Sequence, residues 1–369
     1  MTSAEKVQNC LDLKPVKDRS EIPVYPMMLV YPGVAAGMTQ KETIEDTDAW
    51  IQALAATFAQ VGKPDVCQAN PPGDVIFLMG LESRRPGYEL GDNELYQFVE
   101  KPHMDHDDYR DIVKNGWMQW YNRYLCTIQH PPITNPQDIG GRWMQVGMNM
   151  GKVGGFLASQ GIEPIHGVGM GPVFDTLSMV RSFEEFCYDL ADEPELIHDV
   201  LRRGVPESIG MALSMVEHSP VKRISMYAMR SDANSISPAI FDEFVFPYMK
   251  QAVEAFYAAG CRTVLHADGN WLPMLHRFHE LPRGSVLMEL DGYTDIFQAS
   301  EILDGWQAIR GDVSSNMMAF GTPDEVREYC EKLITGPGMR GGFMLGSGCE
   351  IPLNCKLENL KAMLDSVKA

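Results

Sequence analysis

The sequence lacks the features that mark several large classes of protein. No apolar run approaches the roughly 20 residues that a membrane-spanning helix needs. The N-terminal stretch MTSAEKVQNCLDLKPVKDRSE is polar and has no apolar signal-peptide core. The eight cysteines are irregularly spaced and include no CxxC pair, which argues against a disulfide framework. We therefore expect a cytoplasmic protein with reduced thiols and no membrane contact.

Cations are also scarce. The chain has 31 lysines and arginines against 50 aspartates and glutamates, a formal net charge of −19, and no basic stripe with interleaved aromatics. Because nucleic-acid binding depends on clustered cations, we exclude that class of partner. The Rossmann, Walker A and nucleophile-elbow motifs are absent. The corrin-binding signature DxHxxG is absent too, so the chain is not expected to carry its own corrin.

What is present is a regular alternation of strands and helices. The 369 residues are 45% hydrophobic, enough for a full-sized core. In the second half, each short hydrophobic strand is followed by a helical segment, which is typical of a parallel sheet with right-handed crossovers. The predicted strands are 223–229, 262–268, 285–291, 306–313 and 341–348. The predicted helices are 237–260, divided at Pro247, then 272–281, 294–303, 322–335 and 357–369.

The first half is less regular. We predict strands at 22–31, 74–80 and 164–170, and a helix at 46–62. Residues 84–150 are aromatic, acidic and proline-rich, and we interpret them as an insertion that caps the barrel mouth. The pattern favours one domain over 1–369, an α/β protein with an (α/β)8 TIM barrel rather than an open sheet.

Polar side chains stand where the predicted strands end. Since active sites of such barrels lie at the C-terminal ends of the strands, these residues are candidates for chemistry. His266 and Asp268 are two apart and face the same way, as do Glu289 and Asp291. Nitrogen, oxygen and sulfur ligands together suit Zn²⁺. The polar residues at the predicted strand ends are Arg230, Asp232, His266, Asp268, Glu289, Asp291, Asp312, Cys349 and Glu350. The alternative is that each is a hydrogen-bonded strand-end group.

The other histidines are weaker candidates. His276 and His279 are expected on a helix surface, and His103 and His106 in a solvated loop. His166 lies on a predicted strand and is expected to reach the barrel interior.

Several stretches resemble the uroporphyrinogen decarboxylase superfamily. They are SPAIFDEFVFPYMKQ, LHADGN, the strand ending in ELD, IRGDVS, GGFMLGSGCEIP and LENLKAML, with DRSEIPVYPMMLVYPGVAAG at the family's first strand. The resemblance covers most of the chain and is strongest from about residue 220. It implies the (α/β)8 barrel that the strand pattern also predicts.

The resemblance leaves two chemistries to separate. Decarboxylases of the family carry arginines after the first strand to hold the substrate's carboxylates, whereas PMMLVYPGVAAGM has none. The other branch comprises corrinoid-dependent methyltransferases. Thiol-directed members share a zinc site of His-x-Cys plus a later Cys, which His266 and Cys349 match. Asp268 replaces the middle cysteine, and Glu289 stands where a family carboxylate can complete the site. The resemblance therefore implies His266, Cys349 and one of two carboxylates, Glu289 or Asp268, as the metal ligands.

A carboxylate in place of a thiolate gives a harder, more Lewis-acidic zinc, which suits an ether oxygen. The resemblance therefore favours methyl transfer from a methoxylated aromatic to cob(I)alamin, with the cobalamin carried by a separate corrinoid protein. The alternative is a methylcobalamin:thiol methyltransferase of the coenzyme M type, and a decarboxylase is less favoured. A non-enzymatic binding protein on this fold is the alternative in another class.

Position alone assigns the remaining roles. Asp312 and Asp232 are expected to be catalytic, orienting the substrate or relaying a proton, and Tyr227 to contact the substrate ring. The expected partners are the methyl donor, the corrinoid protein and a second copy of the chain in a homodimer.

Overall fold

The fold is built on a curled parallel sheet, seen here in a computed structural model that describes residues 1–129 and 131–368. Seven strands lie in the order β1-β11-β10-β9-β8-β7-β6. The strands are β1 (Val24–Met27), β2 (Val66–Cys67), β3 (Ser83–Arg84), β4 (Gln97–Phe98), β5 (Glu163–Pro164), β6 (Val168–Met170), β7 (Arg223–Ala228), β8 (Arg262–Ala267), β9 (Val286–Leu290), β10 (Ala308–Val313) and β11 (Phe343–Glu350). Every neighbouring pair in this sheet is parallel.

Helices separate most of the strands along the chain. They are α1 (Ser3–Leu11), α2 (Tyr31–Ala35), α3 (Gln40–Glu45), α4 (Thr47–Val61), α5 (Pro72–Met79), α6 (His106–Asn115), α7 (Trp117–Ile128), α8 (Ile139–Ser159), α9 (Val173–Val180), α10 (Phe183–Asp192), α11 (Pro194–Glu217), α12 (Pro238–Ile240), α13 (Phe246–Ala258), α14 (Ile296–Ile302), α15 (Ser315–Phe320), α16 (Pro323–Leu333) and α17 (Leu357–Asp365). Tighter or wider turns occur as 3₁₀ segments at Arg19–Glu21, Pro136–Asp138 and Leu272–Glu280, and as π-helical segments at Phe241–Val245 and Ile334–Gly338.

The two edges of the curled sheet are linked through β2. The backbone N–H of Asp65, next to β2, donates to the carbonyl of Val24 in β1 (3.1 Å). On its other side β2 pairs in parallel with β5, which runs almost directly into β6. The predicted α/β class is therefore confirmed as a curled, TIM-barrel-like parallel sheet.

The second half follows its sequence pattern closely. All five predicted strands are present, and β9 and β10 are buried at every position, as expected for strands covered on both faces. Thr322 caps α16 in a reciprocal capping box with Glu325. The predicted division of the 237–260 helix is confirmed, since a π-helical segment precedes Pro247 at the start of α13.

The strand predicted at 74–80 is wrong, because residues 74–79 lie within α5 and Gly80 is its C-cap. A short apolar run does not distinguish a buried strand from a buried helix. The flanking residues decide it here: Pro72 opens the helix, Asp74 lies in its first turn and Gly80 ends it in a left-handed conformation. The strand of this region is the two-residue β2, which the sequence analysis did not predict.

Residues 84–150 form a hairpin-like pair, β3 with β4, and then α6, α7 and most of α8. His130, within the predicted insertion, and Ala369, at the end of the predicted last helix, lie outside the described residues. The segment before α6 contacts the C-terminal side of the sheet. His103 N–H donates to the carbonyl of Val180 (2.8 Å), and Glu100 pairs with Arg230 (2.7 Å). Its capping role stays a prediction.

No helix in the described residues is long and apolar enough to cross a membrane. All eight cysteines are free thiols.

Candidate metal site at the C-terminal ends of the strands

Three predicted ligands meet at one point. His266 lies on β8, Asp268 follows that strand directly, and Cys349 lies near the end of β11. The ligand atoms of these residues all lie within 4.8 Å of one another. His266 Nε2 is 3.2 Å from Asp268 Oδ1 and 3.7 Å from Cys349 Sγ. The structure thus brings together residues that are 83 positions apart in sequence.

The fourth predicted ligand, Glu289, contacts the opposite nitrogen of the same ring. It is the register partner of His266 across β8 and β9, and its Oε2 is 3.0 Å from His266 Nδ1. Glu289 is almost fully buried, so the contact fixes the ring with Nε2 towards Asp268 and Cys349. A carboxylate behind a ligating histidine commonly fixes its tautomer and raises its basicity.

The strand end carrying Cys349 is held by a buried guanidinium. Arg310 of β10 is fully buried and donates to the carbonyl of Tyr25 (3.0 Å) and to Ser347 Oγ (3.1 Å). A Cβ at residue 346 would lie 2.4 Å from Arg310 Nε, so the glycine there is required. These contacts join three adjacent strands, β1, β11 and β10. They fix the end of β11 so that Cys349 faces His266.

The three side chains are electrostatically coupled. Burial by itself lowers the pKa of His266, but Asp268, Cys349 and Glu289 together raise it well above its usual value. Burial by itself raises the pKa of Asp268, but the neighbouring His266 imidazole lowers it by more. The pKa of Asp268 therefore lies below its usual value. The site therefore favours a positive charge beside the carboxylates of Asp268 and Glu289. One imidazole nitrogen, one sulfur and one carboxylate form a donor set that fits Zn²⁺.

Asp232, predicted to be catalytic, is saturated by hydrogen bonds. Its buried carboxylate accepts from Asn234 N–H (2.8 Å), Ser235 Oγ (2.8 Å) and Asn270 N–H (3.1 Å). A Cβ at residue 269 would lie 2.3 Å from this carboxylate, which explains Gly269 and its φ of +85°.

Asp175, at the start of α9, is bound in the same way. It accepts from Met229 N–H, Arg230 N–H and Ser231 Oγ at 2.6–2.8 Å. Burial raises its pKa to about 6, although these donors oppose the shift.

The two remaining predicted residues lie at other strands of the same mouth. Asp312, on β10, is nearly buried and accepts from Tyr329 Oη (2.7 Å), and burial raises its pKa to about 6. Tyr227, on β7, places its ring centroid 6.4 Å from that of His266. Burial raises the pKa of the Tyr227 hydroxyl to about 12.

Four neighbouring residues were not assigned roles from the sequence. Glu350 accepts from Val30 N–H (2.9 Å), and burial raises its pKa to about 7. Tyr96, from the 84–150 segment, has its pKa raised well above the usual value by burial and by nearby Glu350 and Cys349. Gln68 and Asn70 follow β2 and are nearly fully buried. Gln68 and Asn70 could have been identified from the sequence, as polar residues after a strand, only if β2 had been predicted.

Residues 158–369 match the family model "Uroporphyrinogen decarboxylase (URO-D)". The chain belongs to the uroporphyrinogen decarboxylase family. The resemblance inferred from the sequence motifs is therefore confirmed, and with it membership of a family of enzymes. Within the family, it is 30% identical over 159 residues to the uroporphyrinogen decarboxylase of Synechococcus sp. (strain CC9902), covering 42% of this chain and 43% of that protein. It is 22% identical over 135 residues to the enzyme of Thermodesulfovibrio yellowstonii, covering 37% and 38%.

The matches span about two fifths of the length of these curated relatives. A solved structure described as a methyltransferase from Methanosarcina mazei matches over 100% of this chain and 98% of that one, with a TM-score of 0.70 and 18% identity. At that identity the likeness concerns the fold alone.

Proposed function

We propose that the protein is a zinc-dependent methyltransferase that moves a methyl group from a methoxylated aromatic substrate to the cob(I)alamin of a separate corrinoid protein. The observation that carries the proposal is the convergence of His266 Nε2, Asp268 and Cys349 Sγ within 4.8 Å at the C-terminal ends of the strands. The fold likeness to a methyltransferase supports it. We also propose that the sheet closes through β2 into the eight-stranded barrel of the family.

In this proposal His266, Asp268 and Cys349 hold the zinc, and Glu289 orients His266 through its Nδ1. Bound zinc supplies a Lewis acid for the ether oxygen, whose alkoxide or phenolate is otherwise a poor leaving group. Three protein ligands are typical of a catalytic site with an open position.

The reaction balances with the corrinoid protein as co-substrate. The methyl–oxygen bond breaks with its electron pair on oxygen, while cobalt(I) supplies two electrons to the new cobalt–carbon bond and becomes cobalt(III). The leaving oxygen takes up one proton. Asp312 suits the delivery of that proton, because its pKa of about 6 lets it exchange protons near neutral pH. In the proposal Tyr227, whose ring lies beside that of His266, contacts the substrate ring, and Asp232 stabilises the adjoining loops.

Decarboxylation is the function that the names of the curated relatives suggest. Residues 26–38 contain no arginine, although the substrate of that reaction carries many carboxylates. The arginines near the mouth have other partners, since Arg230 pairs with Glu100 and Arg310 binds backbone carbonyls. We therefore place decarboxylation below methyl transfer.

Metal analysis of purified protein tests the site. Wild-type protein should hold about one zinc per chain, and His266→Ala and Cys349→Ala should lose both the zinc and methyl transfer to reduced corrinoid protein. Cys187→Ala is the matched control, because Cys187 is an exposed thiol on α10. A wild-type protein without zinc, or His266→Ala and Cys349→Ala variants with full metal and activity, would contradict the proposal.

A second assay separates the two methyltransferase directions. Reduced corrinoid protein is offered methoxylated aromatics, methylamines or methanol, and methylcobalamin is offered to coenzyme M. Demethylation of an ether supports the proposal. Methylation of coenzyme M without ether turnover would favour the thiol-directed alternative, which Cys349 and the fold likeness also fit.

A further inference from the structure

An open cleft outside the metal site is lined by three basic side chains. Its volume is about 650 Å³, which lies in the range of small-molecule sites. It is bounded by the end of α3, the starts of α4 and α5, residues 85–88 and one side of α8. The basic side chains are Arg85, Arg142 and Lys152, and no lining residue belongs to the metal site. The protein partners of each cation determine whether the cleft has a positive charge available for a ligand.

Two of the three cations are neutralised by the protein. Arg142 Nη1 lies 2.8 Å from Asp74 Oδ1. Asp74 is almost fully buried and its other oxygen accepts from Asn149 Nδ2 (3.0 Å), so both of its carboxylate oxygens are used. Lys152 pairs with Asp48 (2.5 Å). Neither carboxylate is therefore left for the third cation.

Arg85 is the third cation, and its surroundings differ. It is half-buried, and among the described residues the one hydrogen bond of its guanidinium runs from Nε to Ser83 Oγ (3.3 Å). The Glu89 carboxylate accepts from the backbone N–H of Arg85 (2.9 Å). Burial lowers the pKa of Arg85, and the like charge of Arg142 lowers it further. The two terminal nitrogens are available to a ligand, and a negative charge beside them would offset the repulsion between the two guanidiniums.

We propose that this cleft binds a small organic anion with a single carboxylate group, and that Arg85 holds the carboxylate. The two terminal nitrogens of a guanidinium match the two oxygens of a carboxylate in a bidentate pair. The body of the ligand lies against the apolar and aromatic lining, which consists of Ile44, Pro71, Pro86 and Tyr88. This second site does not depend on the proposed methyl transfer.

The acidic residues of the cleft restrict the charge of the ligand. Glu45 and Asp46 also line it, and both are exposed. Asp46 caps α4 by accepting from Asp48 N–H (2.8 Å), and Glu45 opposes the downward shift of the Arg85 pKa. Because these two negative charges repel further anions, the cleft favours a monoanion and disfavours a dianion such as phosphate.

Calorimetric titration of the full-length protein tests the cleft at low ionic strength, since salt screens exposed charges. The probes are benzoate, its uncharged analogue benzamide, and inorganic phosphate at an alkaline pH where it is a dianion. Wild-type protein should bind one benzoate per chain, at least about 10-fold more tightly than benzamide or phosphate. Arg85→Gln should weaken the binding of benzoate at least about 10-fold, and Arg85→Lys, which keeps the charge without the planar fork, should weaken it less.

Arg84→Gln is the matched control. Arg84 carries the same charge next to Arg85 but is exposed and does not line the cleft. This variant should bind benzoate as the wild type does. Without ligand, Arg85→Gln should melt at the wild-type temperature or above it, because one of two neighbouring like charges is removed.

Four results would overturn the inference: no binding of benzoate, equal affinity of Arg85→Gln and wild type, equal weakening by Arg84→Gln, or binding of benzamide or phosphate as tight as that of benzoate. The second would mean that benzoate binds elsewhere, for example at the metal site. The third would mean that net charge alone governs binding. If benzoate binds as expected to a protein that transfers no methyl group, the cleft is supported and only the proposed function is contradicted.

Discussion

Two groups of polar side chains lie at the C-terminal end of the sheet and differ in their hydrogen-bond partners. In the first group, Asp175 and Asp232 each accept three hydrogen bonds, several of them from backbone N–H groups. In the second, Asp268 and Cys349 face His266 Nε2 and are not fixed by backbone donors of the described residues. Both groups follow strand ends, so position in the fold does not distinguish them.

The difference lies in what satisfies the charge. A carboxylate whose lone pairs are filled by the protein stabilises the loops around it and has little capacity left for a ligand. Donor atoms that converge on one another instead repel unless a proton or a cation lies between them. We therefore propose that the saturated group, Asp175 and Asp232, stabilises the surrounding loops, whereas the convergent group, His266, Asp268 and Cys349, is suited to a metal. The following predictions test this division.

The largest effect is expected for Asp175→Ala. It leaves three buried donors without their acceptor and should lower the free energy of unfolding by about 3–5 kcal/mol, measured by urea denaturation. The zinc content per folded molecule should not change. Asp268→Ala should behave in the opposite way, with loss of zinc and a small change in stability. If folded Asp175→Ala lost its zinc, the distinction between the saturated group and the convergent, metal-binding group would be contradicted.

The next largest effect concerns pH. Burial raises the pKa of Asp175 to about 6 in the folded protein, above the ordinary value of 3.8. Folded protein therefore binds this proton more tightly than unfolded protein. The resulting stabilisation is fully present below about pH 4 and is lost as pH rises through about 6, amounting to about 3 kcal/mol. Urea denaturation from pH 4 to pH 8 should show this difference between wild type and Asp175→Asn; parallel curves would contradict it.

A smaller effect is expected for Glu289→Gln. The amide keeps the shape but removes the charge behind His266 Nδ1. Zinc affinity, measured by competition with a chelator, should fall about 10- to 100-fold, while the melting temperature changes little. Complete loss of zinc would instead indicate that Glu289 is itself a ligand, as its sequence position first indicated.

The smallest effect is expected for Thr322→Ala, which lies outside both groups. It removes the capping box of α16 and should lower the free energy of unfolding by about 1 kcal/mol in urea denaturation. Zinc content should remain at the wild-type value. A change in zinc here would mean that metal loss simply reports global stability, and the metal analyses of the other variants would then lose their meaning.

The sequence predicts the second half of the fold well because local and global signals agree there. Apolar β-branched strands alternate with helices that have clear caps, as at Thr322. In the first half the signals conflict. The strand β2 has two residues, and the apolar DVIFLMG next to it is helical because Pro72 and Gly80 define a helix start and end.

The same contrast holds for the candidate site. His266, Asp268 and Cys349 could be predicted because each stands at the end of a strongly patterned strand. The placement of Glu289 at Nδ1 depends on the β8–β9 register, which composition does not encode. Gln68 and Asn70 were missed because no strand was recognised before them. Tyr96 reaches the site from the 84–150 segment, whose path depends on tertiary contacts such as Glu100 with Arg230.

Carboxylates at this end of the sheet also connect successive loops. Asp232 accepts from the backbone of its own loop and from Asn270 in the next, and Asp291 accepts from Gly269 N–H (2.8 Å) and Tyr293 N–H (2.9 Å). The turn after β8 is therefore held from both sides, although it belongs to no strand or helix. We expect the amide hydrogens of Gly269 and Asn270 to exchange with solvent as slowly as those of the strands. A metal ion arriving at His266 and Asp268 would then bind a preorganised turn, with little loss of backbone entropy.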